Sequence, residues 1–498
     1  MPEVFKNFIN GEWVPSKTGA AFNDINPADK SEIVGVFPKS GAEDINMAVD
    51  AAASALDKWR KTPAPARAEI IYKAEKLLRK KKDDIAKIAT AEMGKILDET
   101  KGDVQEGIDT AFYMAGEGRR LFGDTTPSEL KNKFCMSIRM PVGVVGLICP
   151  WNFPVAIPSW KIFPALICGN SVVLKPASDA PASSMELVQI LQEAGMPKGV
   201  VNLVHGSGEE AGMALVNHPK VNLISFTGSA EVGRKIGELC GKNLKRCSLE
   251  LGGKNAQIVM DDANIDLAVD GALWGAFGTT GQRCTATSRL IVHKGVLKEF
   301  TEKFVQRAKK IRIGNGLSTN TDMGPVINES QLKKIHSYVE VGKKEGAKLL
   351  MGGYFYEEGD CKKGFFYMPT IFTDGHPSMC IAQEEIFGPV ALIMPVNSFE
   401  EAIEVINSTN YGLSSSVYTK DINRTFKAIS DIQAGITYIN SPTIGAETHL
   451  PFGGMKNSGN GHREAGKEVL NIFSEWKAVY IDYSKRLQKA QIDTAKEH

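Results

Sequence analysis

The sequence predicts an α/β protein built from two α/β units. Through the middle of the chain, short apolar runs alternate with helix-length segments, at 143–149, 171–175, 200–204 and 223–226. This rhythm is typical of a parallel sheet whose strands are joined by crossover helices. A second series of apolar runs follows Cys284, at 289–293, 391–395 and 435–440. Two such units facing each other leave a cleft between them.

Elements of other types lie nearer the ends of the chain. Asn10-Gly11 stands between apolar residues and predicts a β-hairpin. Residues 42–117 predict long amphipathic helices, as in Ala42 to Trp59 and Arg67 to Lys81. The segments 131–140 and 475–483 alternate like strands and have no obvious covering helix. We therefore expect these two segments to pair with another subunit.

Composition narrows the class of protein. A chain of 498 residues predicts about three folding units, and 59 basic against 58 acidic side chains give no basic excess for nucleic acid. The eight cysteines form no C-x-x-C pair, which argues against a zinc site and against a disulfide scaffold. We therefore expect no metal. We also expect a reducing, cytoplasmic location, because the N-terminus lacks the features of a signal peptide as well. The longest apolar stretch, 142–157, contains Pro150, Asn152 and Pro154, so it predicts a strand and a turn rather than a membrane span.

Cys284 is the most informative single residue. It lies in the run Phe277-Gly-Thr-Thr-Gly-Gln-Arg-Cys-Thr-Ala286, where small and polar neighbours leave a thiol accessible to a ligand. The thiolate is the reactive form of cysteine, and the adjacent Arg283 is expected to favour it. A single cysteine in a soluble protein is most often a small buried hydrophobic residue, so the nucleophile hypothesis depends on the segments below.

Two further segments supply groups that nucleophilic catalysis at a carbonyl needs. In Pro150-Trp-Asn-Phe-Pro154, two prolines stiffen a turn after an apolar strand, and the Asn152 amide is placed to donate to an oxyanion. A turn asparagine that bonds its own backbone is the alternative. In Leu249-Glu-Leu-Gly-Gly-Lys254, the carboxylate of Glu250 ends an apolar strand, where burial would raise its pKa toward that of a general base. The alternative is a salt bridge at the strand edge, with Lys254 as partner.

Three segments bear on a phosphate-containing ligand. Phe226-Thr-Gly-Ser-Ala-Glu-Val-Gly233 predicts a strand, a glycine-rich turn and a helix, which suits a phosphate at a helix N-terminus. Glu384-Glu-Ile-Phe-Gly-Pro389 offers Glu385 to a ribose hydroxyl, although an acidic pair before a turn is usually solvated. Gly206-Ser-Gly-Glu-Glu-Ala-Gly212 nearly matches a Rossmann fingerprint, but three residues instead of two precede its last glycine.

Together these motifs resemble the aldehyde dehydrogenase superfamily over nearly the whole chain. Glu-Leu-Gly-Gly-Lys at 250–254 and Gly-Gln-Arg-Cys at 281–284 match the family's two signature patterns in order and distance. The resemblance implies the aldehyde dehydrogenase fold, with a Rossmann-like cofactor domain, an α/β catalytic domain and a small β oligomerisation segment. It places the NAD(P)-binding domain at 1–122 and 141–251, the catalytic domain at 252–470, and the oligomerisation segment at 123–140 and 471–498.

The resemblance also assigns roles. Cys284 would attack the aldehyde carbon, Asn152 and the backbone N–H of Cys284 would hold the oxyanion, and Glu250 would activate the hydrolytic water. The implied catalytic set is Cys284, Glu250, Asn152 and Lys175. The implied cofactor-binding set is Trp151, Lys175, Ser178, Gly228, Ser229, Gly233, Gly252, Glu385 and Phe387. The implied substrate-contacting set is Phe153, Trp160, Arg283, Phe452 and Glu106.

The cofactor is expected to be NADP or NAD. Many NAD-preferring members carry a glutamate three residues after the counterpart of Lys175, and this chain has Ser178 there. Loss of that carboxylate relieves repulsion toward a 2′-phosphate, so NADP should be accepted. Because Glu250 is retained, we expect hydrolysis to a free acid rather than transfer of the acyl group to coenzyme A.

The expected substrate is a small aldehyde that carries a carboxylate. Arg283 and Phe153 would border the cavity, and an arginine beside the nucleophile can hold a distal carboxylate. The chain resembles 2-oxoglutarate semialdehyde dehydrogenases, while Glu106 aligns with a residue that the α-aminoadipic branch uses for the substrate's amino group. A glutamate on a helix surface is the more common explanation of Glu106. One common type of succinic semialdehyde dehydrogenase carries an arginine at the position of Trp160, which weakens that assignment. A broad activity on aliphatic aldehydes is a further alternative.

Two other classes of protein are alternatives to an aldehyde dehydrogenase. A non-enzymatic binding or structural protein on the same fold would have lost a catalytic residue, and none is lost here. A thiol hydrolase would need a histidine beside Cys284, and none of the eight histidines lies in a recognisable setting. The family implies a homodimer or homotetramer, with no nucleic acid or membrane as partner.

Overall fold

The computed structural model describes residues 2–494, so residues 495–498 of the expected oligomerisation segment lie outside the described residues. The described part contains three long N-terminal helices, α1 (Ala42–Lys61), α2 (Ala64–Met93) and α3 (Leu97–Glu117), as the sequence predicts for 42–117. The remaining helices are α4 (Ala156–Ile167), α5 (Ala182–Glu193), α6 (Met213–Asn217), α7 (Ala230–Lys242), α8 (Ile265–Phe277), α9 (Leu297–Ala308), α10 (Glu329–Lys344), α11 (Cys380–Gln383), α12 (Phe399–Asn407), α13 (Ile422–Asp431) and α14 (Ala490–Thr494).

The strands are β1 (Asn7–Ile9), β2 (Glu12–Val14), β3 (Ala21–Ile25), β4 (Ile33–Pro38), β5 (Thr125–Pro127), β6 (Lys133–Pro141), β7 (Val144–Ile148), β8 (Ser171–Lys175), β9 (Val201–Leu203), β10 (Leu223–Thr227), β11 (Arg246–Glu250), β12 (Asn255–Val259), β13 (Thr287–His293), β14 (Lys348–Met351), β15 (Thr370–Thr373), β16 (Val390–Val396), β17 (Tyr411–Gly412), β18 (Ser414–Tyr418), β19 (Ile436–Ile439), β20 (Met455–Lys456) and β21 (Ser474–Asp482). All seven apolar runs singled out in the sequence overlap strands. The expectation of an α/β fold is confirmed.

The first large sheet has the order β11-β10-β7-β8-β9-β1-β2. Its first five strands are parallel, because a helical segment returns the chain between successive strands. The predicted hairpin adds β1 and β2 antiparallel at one edge. Asn10 and Gly11 form its turn with φ of +53° and +81°, the left-handed geometry that such tight turns require.

The second large sheet has the order β14-β15-β16-β13-β12-β18-β19, and only β14 runs antiparallel to its neighbour. In this sheet, sequence reasoning missed the strands β12, β14, β15 and β18. Two of them read as polar, Asn255-Ala-Gln-Ile-Val259 and Ser414-Ser-Ser-Val-Tyr418, yet both are buried. Side-chain hydrogen bonds make this burial possible, as when Ser414 Oγ donates to the Thr443 carbonyl.

A separate three-stranded sheet has the order β21-β6-β5. The two terminal strand-like segments pair with each other in antiparallel register, from Ser474 opposite Pro141 to Asp482 opposite Lys133. The expectation that they pair with another subunit is therefore incomplete, since within the chain β6 pairs on both sides, with β21 and with β5, and β21 pairs on one side. The outer strand β21 keeps large exposed side chains, including Trp476 and Tyr480.

Among the described residues, no helix is both long and apolar enough to cross a membrane.

Candidate active site

Four neighbouring strands of the first sheet end at one place. Strands β11, β10, β7 and β8 are adjacent and parallel, so their carboxyl ends share one edge of the sheet. The chain leaving these ends carries Glu250, the Gly228-Ser229 turn, the turn around Asn152, and Lys175. Ligands of open α/β sheets bind at this kind of edge.

Cys284 reaches this edge from the other unit. It lies between α8 and β13, just after a short turn in which Thr279 and Thr280 have φ of +53° and +57°. The Asn255 side-chain amide fixes the following backbone by donating to the carbonyl of Cys284 at 2.7 Å and to that of Ala286 at 3.0 Å. A backbone held in the left-handed region by surrounding contacts is common next to active sites.

Cys284 lines two cavities, which we name cavity A and cavity B. Cavity A has a volume of about 720 Å³ and is also lined by Glu106, Phe153, Trp160, Glu250, Arg283, Phe452 and Glu464. Cavity B has a volume of about 680 Å³ and is also lined by Trp151, Asn152, Gly228, Ser229, Gly252, Gln331, Lys334, Glu385 and Phe387. The thiol therefore stands where two ligands would meet.

Cavity B is lined by groups of the kinds that suit a phosphate and a hydroxyl-bearing ligand. Ser229 caps helix α7, with its hydroxyl accepting from the Val232 N–H, so the first amides of the helix face a site suited to phosphate. A Cβ built on Gly252 would overlap the carboxylate of Glu385, so the chain passes this carboxylate only with a glycine. Glu385 accepts from the Gly253 N–H at 2.9 Å, and burial raises its pKa to about 7.

Asn152 is held by the Gln282 carbonyl and by Lys95, which lies just before helix α3. Its amide donates to the Gln282 carbonyl at 3.0 Å, which uses one of its two amide hydrogens. Its own carbonyl accepts from Lys95 Nζ at 3.0 Å, and Lys95 is paired with Asp103 at 2.9 Å in full burial. The alternative in which Asn152 bonds its own backbone is not what the structure shows. Breaking a buried ion pair of this kind costs roughly 3–5 kcal/mol, so the turn is firmly placed.

Glu250 faces cavity A without a hydrogen-bond partner. It is 3% exposed, and no donor among the described residues reaches either carboxylate oxygen. Burial raises its pKa well above the usual value, and the nearby Glu464 raises it further, while Lys161 and Arg463 oppose the shift. The alternative of a salt bridge to Lys254 is wrong, because Lys254 Nζ is itself buried without a partner. A carboxylate with a raised pKa is a stronger base, which suits the role of a general base.

The acid–base state of Cys284 differs from the expectation. Burial raises the pKa of the thiol to about 12, with Glu385 and Glu250 adding to the shift. The expectation that Arg283 favours the thiolate is wrong. The Arg283 guanidinium turns away, donating to Thr279 Oγ1 at 2.8 Å and to Glu99 at 3.3 Å.

The predicted substrate-contacting residues are brought together on the walls of cavity A. Arg283 packs over the Phe153 ring at 5.3 Å, and the rings of Trp160 and Phe452 lie edge to face at 4.7 Å. Glu106 projects from α3 into the same cavity, so the explanation of a glutamate on a helix surface is wrong. Burial, followed by the charge of Asp103, raises the pKa of Glu106 to about 8.

Some predicted cofactor residues lie outside both cavities. Lys175 Nζ is buried and donates to the carbonyls of Pro176 and Gly206 at 2.6 and 3.1 Å, and burial lowers its pKa to about 8. Ser178 Oγ donates to the same Gly206 carbonyl at 3.1 Å. Gly233 allows α7 to pack closely on Leu251. The structure thus does not bring Lys175 to Cys284, and the near-match at 206–212 contributes a carbonyl that holds Lys175.

Sequence reasoning missed two buried ion pairs beside the site. Lys95–Asp103 supports the Asn152 turn, and Lys161–Glu464 lies next to Glu250, where Lys161 also donates to Ser225 Oγ at 2.9 Å. The partners of the second pair are 303 positions apart in the chain. A lysine inside an apolar helix such as α4 is the one sequence signal that points to a buried partner.

Other kinds of site are not seen in the described part of the chain. Over residues 2–494, no group of three or more His, Cys, Asp or Glu side chains is arranged to hold a metal ion. None of the residues described as lining cavities A and B is a histidine. The thiol hydrolase alternative therefore lacks the base that it requires.

Comparisons with known proteins agree with this geometry. Residues 13–479 match the model of the aldehyde dehydrogenase family. The chain is 45% identical over 478 residues to the alpha-ketoglutaric semialdehyde dehydrogenase of Bacillus subtilis, covering 96% of this chain and 98% of the relative. It is 43% identical over 484 residues to the alpha-ketoglutarate semialdehyde dehydrogenase of Haloferax volcanii, covering 97% and 100%. A betaine aldehyde dehydrogenase of Staphylococcus aureus in complex with NAD⁺ superposes with a TM-score of 0.95 at 35% identity, over 97% of this chain and 95% of that one.

The chain belongs to the aldehyde dehydrogenase family. It is an oxidoreductase that acts on small-molecule aldehydes with NAD or NADP as cofactor.

Proposed function

We propose that the protein oxidises an acidic semialdehyde, with 2-oxoglutarate semialdehyde as the candidate substrate, to the corresponding dicarboxylic acid. The observation that carries this proposal is the position of Arg283, which lines the same cavity as the Cys284 thiol. A guanidinium at the wall of a largely apolar cavity is suited to a carboxylate at the far end of a short aldehyde. The names of the two relatives given above support the same substrate class.

Chemistry begins at the thiol. Cys284 attacks the aldehyde carbon, and its proton leaves as the S–C bond forms, since the pKa of about 12 keeps the resting thiol protonated. Asn152 has a second amide hydrogen for the developing oxyanion, and the backbone N–H of Cys284 is the other expected donor. When bound in cavity B, NAD or NADP would supply the hydride acceptor that oxidation of the adduct to a thioester requires.

Glu250 then acts as the base for hydrolysis. It lines cavity A together with Cys284, so a water between them would be in reach of both. Its buried carboxylate takes a proton from that water, and the hydroxyl attacks the thioester carbon, which releases the acid and the thiol. We propose that Lys161 and Glu464 position Glu250 through the charges described above.

We also propose roles for the cofactor-binding residues, the domain boundaries and the location of the protein. Trp151, Ser229, Glu385 and Phe387 would hold the cofactor, and Ser178 would leave room for a 2′-phosphate, so that NADP is accepted. The domain boundaries given above and a cytoplasmic location are retained. All eight cysteines are free, which supports a reducing compartment.

We also propose that the chain forms a homodimer or homotetramer through the three-stranded sheet. Over residues 2–494, strand β21 is an outer strand with an unpaired edge, and β19 is the outer strand of the second large sheet. Joining such edges would satisfy their backbone groups. The exposed aromatic side chains of β21 support this surface.

A second candidate substrate is α-aminoadipic semialdehyde, and the presence of Glu106 on the cavity wall favours it. An ionised Glu106 would pair with the substrate's ammonium group while Arg283 holds its carboxylate. Because the pKa of Glu106 is about 8, this pairing costs energy at neutral pH. An acidic semialdehyde without an amino group is therefore the first candidate.

The test is a kinetic panel of linear aldehydes with and without a terminal carboxylate or amino group, measured with NAD and with NADP. We expect the highest kcat/KM for the acidic aldehydes, with NADP accepted. Arg283→Ala should raise KM for acidic aldehydes roughly 10- to 100-fold, because a hydrogen bond to a charged group contributes about 1.5–3 kcal/mol. Propanal is the control. An equal effect on propanal would show that Arg283 acts on the nucleophile, and a preference of wild type for uncharged aldehydes would contradict the proposed substrate class.

A further inference from the structure

Two cysteines outside the active site face each other across a tight turn. Cys240 lies in the last turn of α7, and Cys247 is the second residue of β11. The intervening chain reverses sharply, with the N–H groups of Asn243 and Lys245 donating to the Cys240 carbonyl at 3.1 and 2.8 Å. Helix and strand pack together as a result, and the Cys240 and Cys247 side chains meet in one apolar cluster between them.

The two thiols differ in access and in charge. Cys240 is fully buried, whereas Cys247 is partly exposed. The Asn460 amide donates to Cys247 Sγ at 3.7 Å and to the Cys247 carbonyl at 2.9 Å. The Cys240 thiol and this amide lower the pKa of Cys247 to about 7, while the same thiol–thiol contact and burial raise the pKa of Cys240. Cys247 is thus the nucleophile of the pair, and Cys240 is the buried, protonated second thiol.

We propose that Cys240 and Cys247 form a redox-active dithiol, a modification site separate from Cys284, which a hydroperoxide converts to a disulfide. The Cys247 thiolate attacks the terminal peroxide oxygen, the O–O bond breaks, and the alcohol or water leaves, so Cys247 becomes a sulfenic acid. The Cys240 sulfur then attacks Cys247, the S–O bond breaks, and the Cys240 proton leaves with the hydroxide as water. The pair loses two electrons, and the peroxide gains them.

The other cysteines do not combine partial exposure with a lowered pKa. Burial raises the pKa of Cys149, Cys168 and Cys284 to about 12, so these thiols are protonated near neutral pH. Burial also raises the pKa of Cys380, although this side chain is partly exposed. Reactivity toward peroxide follows thiolate content and exposure. Cys247 should therefore react before Cys284 in the resting enzyme.

The dithiol lies close to the proposed base. Cys247 stands three residues before Glu250 on the same strand. Asn460, which touches the Cys247 thiol, also accepts from the Leu249 N–H at 3.0 Å. The neighbouring Gly459 forms a β-bridge with Glu250. A covalent change at Cys247 therefore occurs in direct contact with the segment that supports Glu250.

The test is a peptide map of the full-length enzyme. Fully reduced protein is treated at pH 7 with about one equivalent of hydrogen peroxide, remaining thiols are blocked with iodoacetamide, and the protein is digested with trypsin without reductant. Trypsin cleaves after Lys242, Lys245 and Arg246, so the two cysteines fall on separate peptides. We expect 236–242 linked to 247–254, a loss of two of the eight thiols, and reversal by dithiothreitol.

Variants make the result specific. Cys247→Ser should abolish the linked peptide, and Cys240→Ser should stop at a sulfenic acid on Cys247 that dimedone captures. Cys380→Ser, which removes another partly exposed thiol, should leave the linkage unchanged. If Cys284 is oxidised while Cys240 and Cys247 stay alkylated, the proposal is wrong. The wild-type map decides the question even if a cysteine variant fails to fold.

Discussion

At the scale of single residues, burial sets the acid–base chemistry of the site. It raises the pKa of the Cys284 thiol to about 12 and that of Glu385 to about 7, and it raises the pKa of Glu250 above the usual range. A thiol in this state becomes nucleophilic only as its proton is removed. Attack on the aldehyde is therefore coupled to removal of this proton.

Glu106 gives a prediction about pH. Below pH about 8 its carboxyl is protonated and can donate to a substrate carboxylate, whereas above that pH it is charged and repels the substrate. KM for an acidic semialdehyde should therefore rise above pH 8, by about tenfold one pH unit higher, since each unit of pKa corresponds to 1.36 kcal/mol. Steady-state kinetics from pH 6.5 to 9.5 measure this.

Two controls isolate the role of Glu106. Glu106→Gln keeps a donor but cannot ionise, so its KM profile should be flat, and the profile for propanal should be flat in wild type. The same rise for propanal, or its persistence in the variant, would assign the titration to another group.

At the scale of elements, the site exists because parallel strands end together and a turn from the other unit meets them. The two units come close together at the turn after β11, where Gly252 passes against the carboxylate of Glu385. This contact joins the first sheet to the segment that precedes β16. Its geometry depends on the absence of a side chain at one position.

Gly252→Ala should impair cofactor binding. The added Cβ overlaps the Glu385 carboxylate and should push it off the Gly253 N–H, so KM for NAD or NADP should rise about tenfold or more. Gly241→Ala is the matched control, because it lies in the last turn of α7 with open space around it. Cofactor titration by fluorescence and steady-state kinetics measure both variants. Unchanged cofactor affinity in Gly252→Ala would show that Glu385 does not touch the cofactor.

The sequence predicts elements and motifs better than it predicts their contacts. The strand rhythm, the hairpin at Asn10-Gly11 and the placement of Glu250 at a strand end depend on local patterns, and these agree with the structure. The support of Asn152 by Lys95 depends on how the connection between α2 and α3 packs against a turn 57 positions away, which no local pattern contains. Strand β18 was missed because its serines are buried by side-chain hydrogen bonds that only the folded chain provides.

The orientation of Arg283 shows the same limit at the site itself. Adjacency in sequence suggested that its charge acts on Cys284. The turn at Thr279 and Thr280 instead directs the guanidinium toward Glu99, a residue 184 positions away. Neighbours in sequence need not be electrostatic partners when the backbone turns sharply between them.

At the scale of the whole molecule, the three-stranded sheet is the surface with the clearest need for a partner. Trp476 and Tyr480 on β21 are 53% and 67% exposed, and an outer strand with exposed aromatic side chains is a common site of association. The double variant Trp476→Ser/Tyr480→Ser should shift the protein to a smaller species in sedimentation velocity. Tyr354→Ser, at an aromatic residue that is 50% exposed elsewhere, should leave the mass unchanged. A wild-type monomer, or a double variant of unchanged mass, would refute this interface.

In the proposed mechanism, Cys284 carries the acyl group as a thioester that Glu250 helps to hydrolyse. Glu250→Gln is mixed with an acidic semialdehyde and NAD or NADP, quenched in acid, and mapped by mass spectrometry after tryptic digestion. We expect one reduced cofactor per site in a single burst, steady-state turnover about 100-fold slower than wild type, and the acyl group on the peptide Cys284–Arg289. Normal turnover in this variant, or a burst that leaves Cys284 unmodified, would contradict the mechanism.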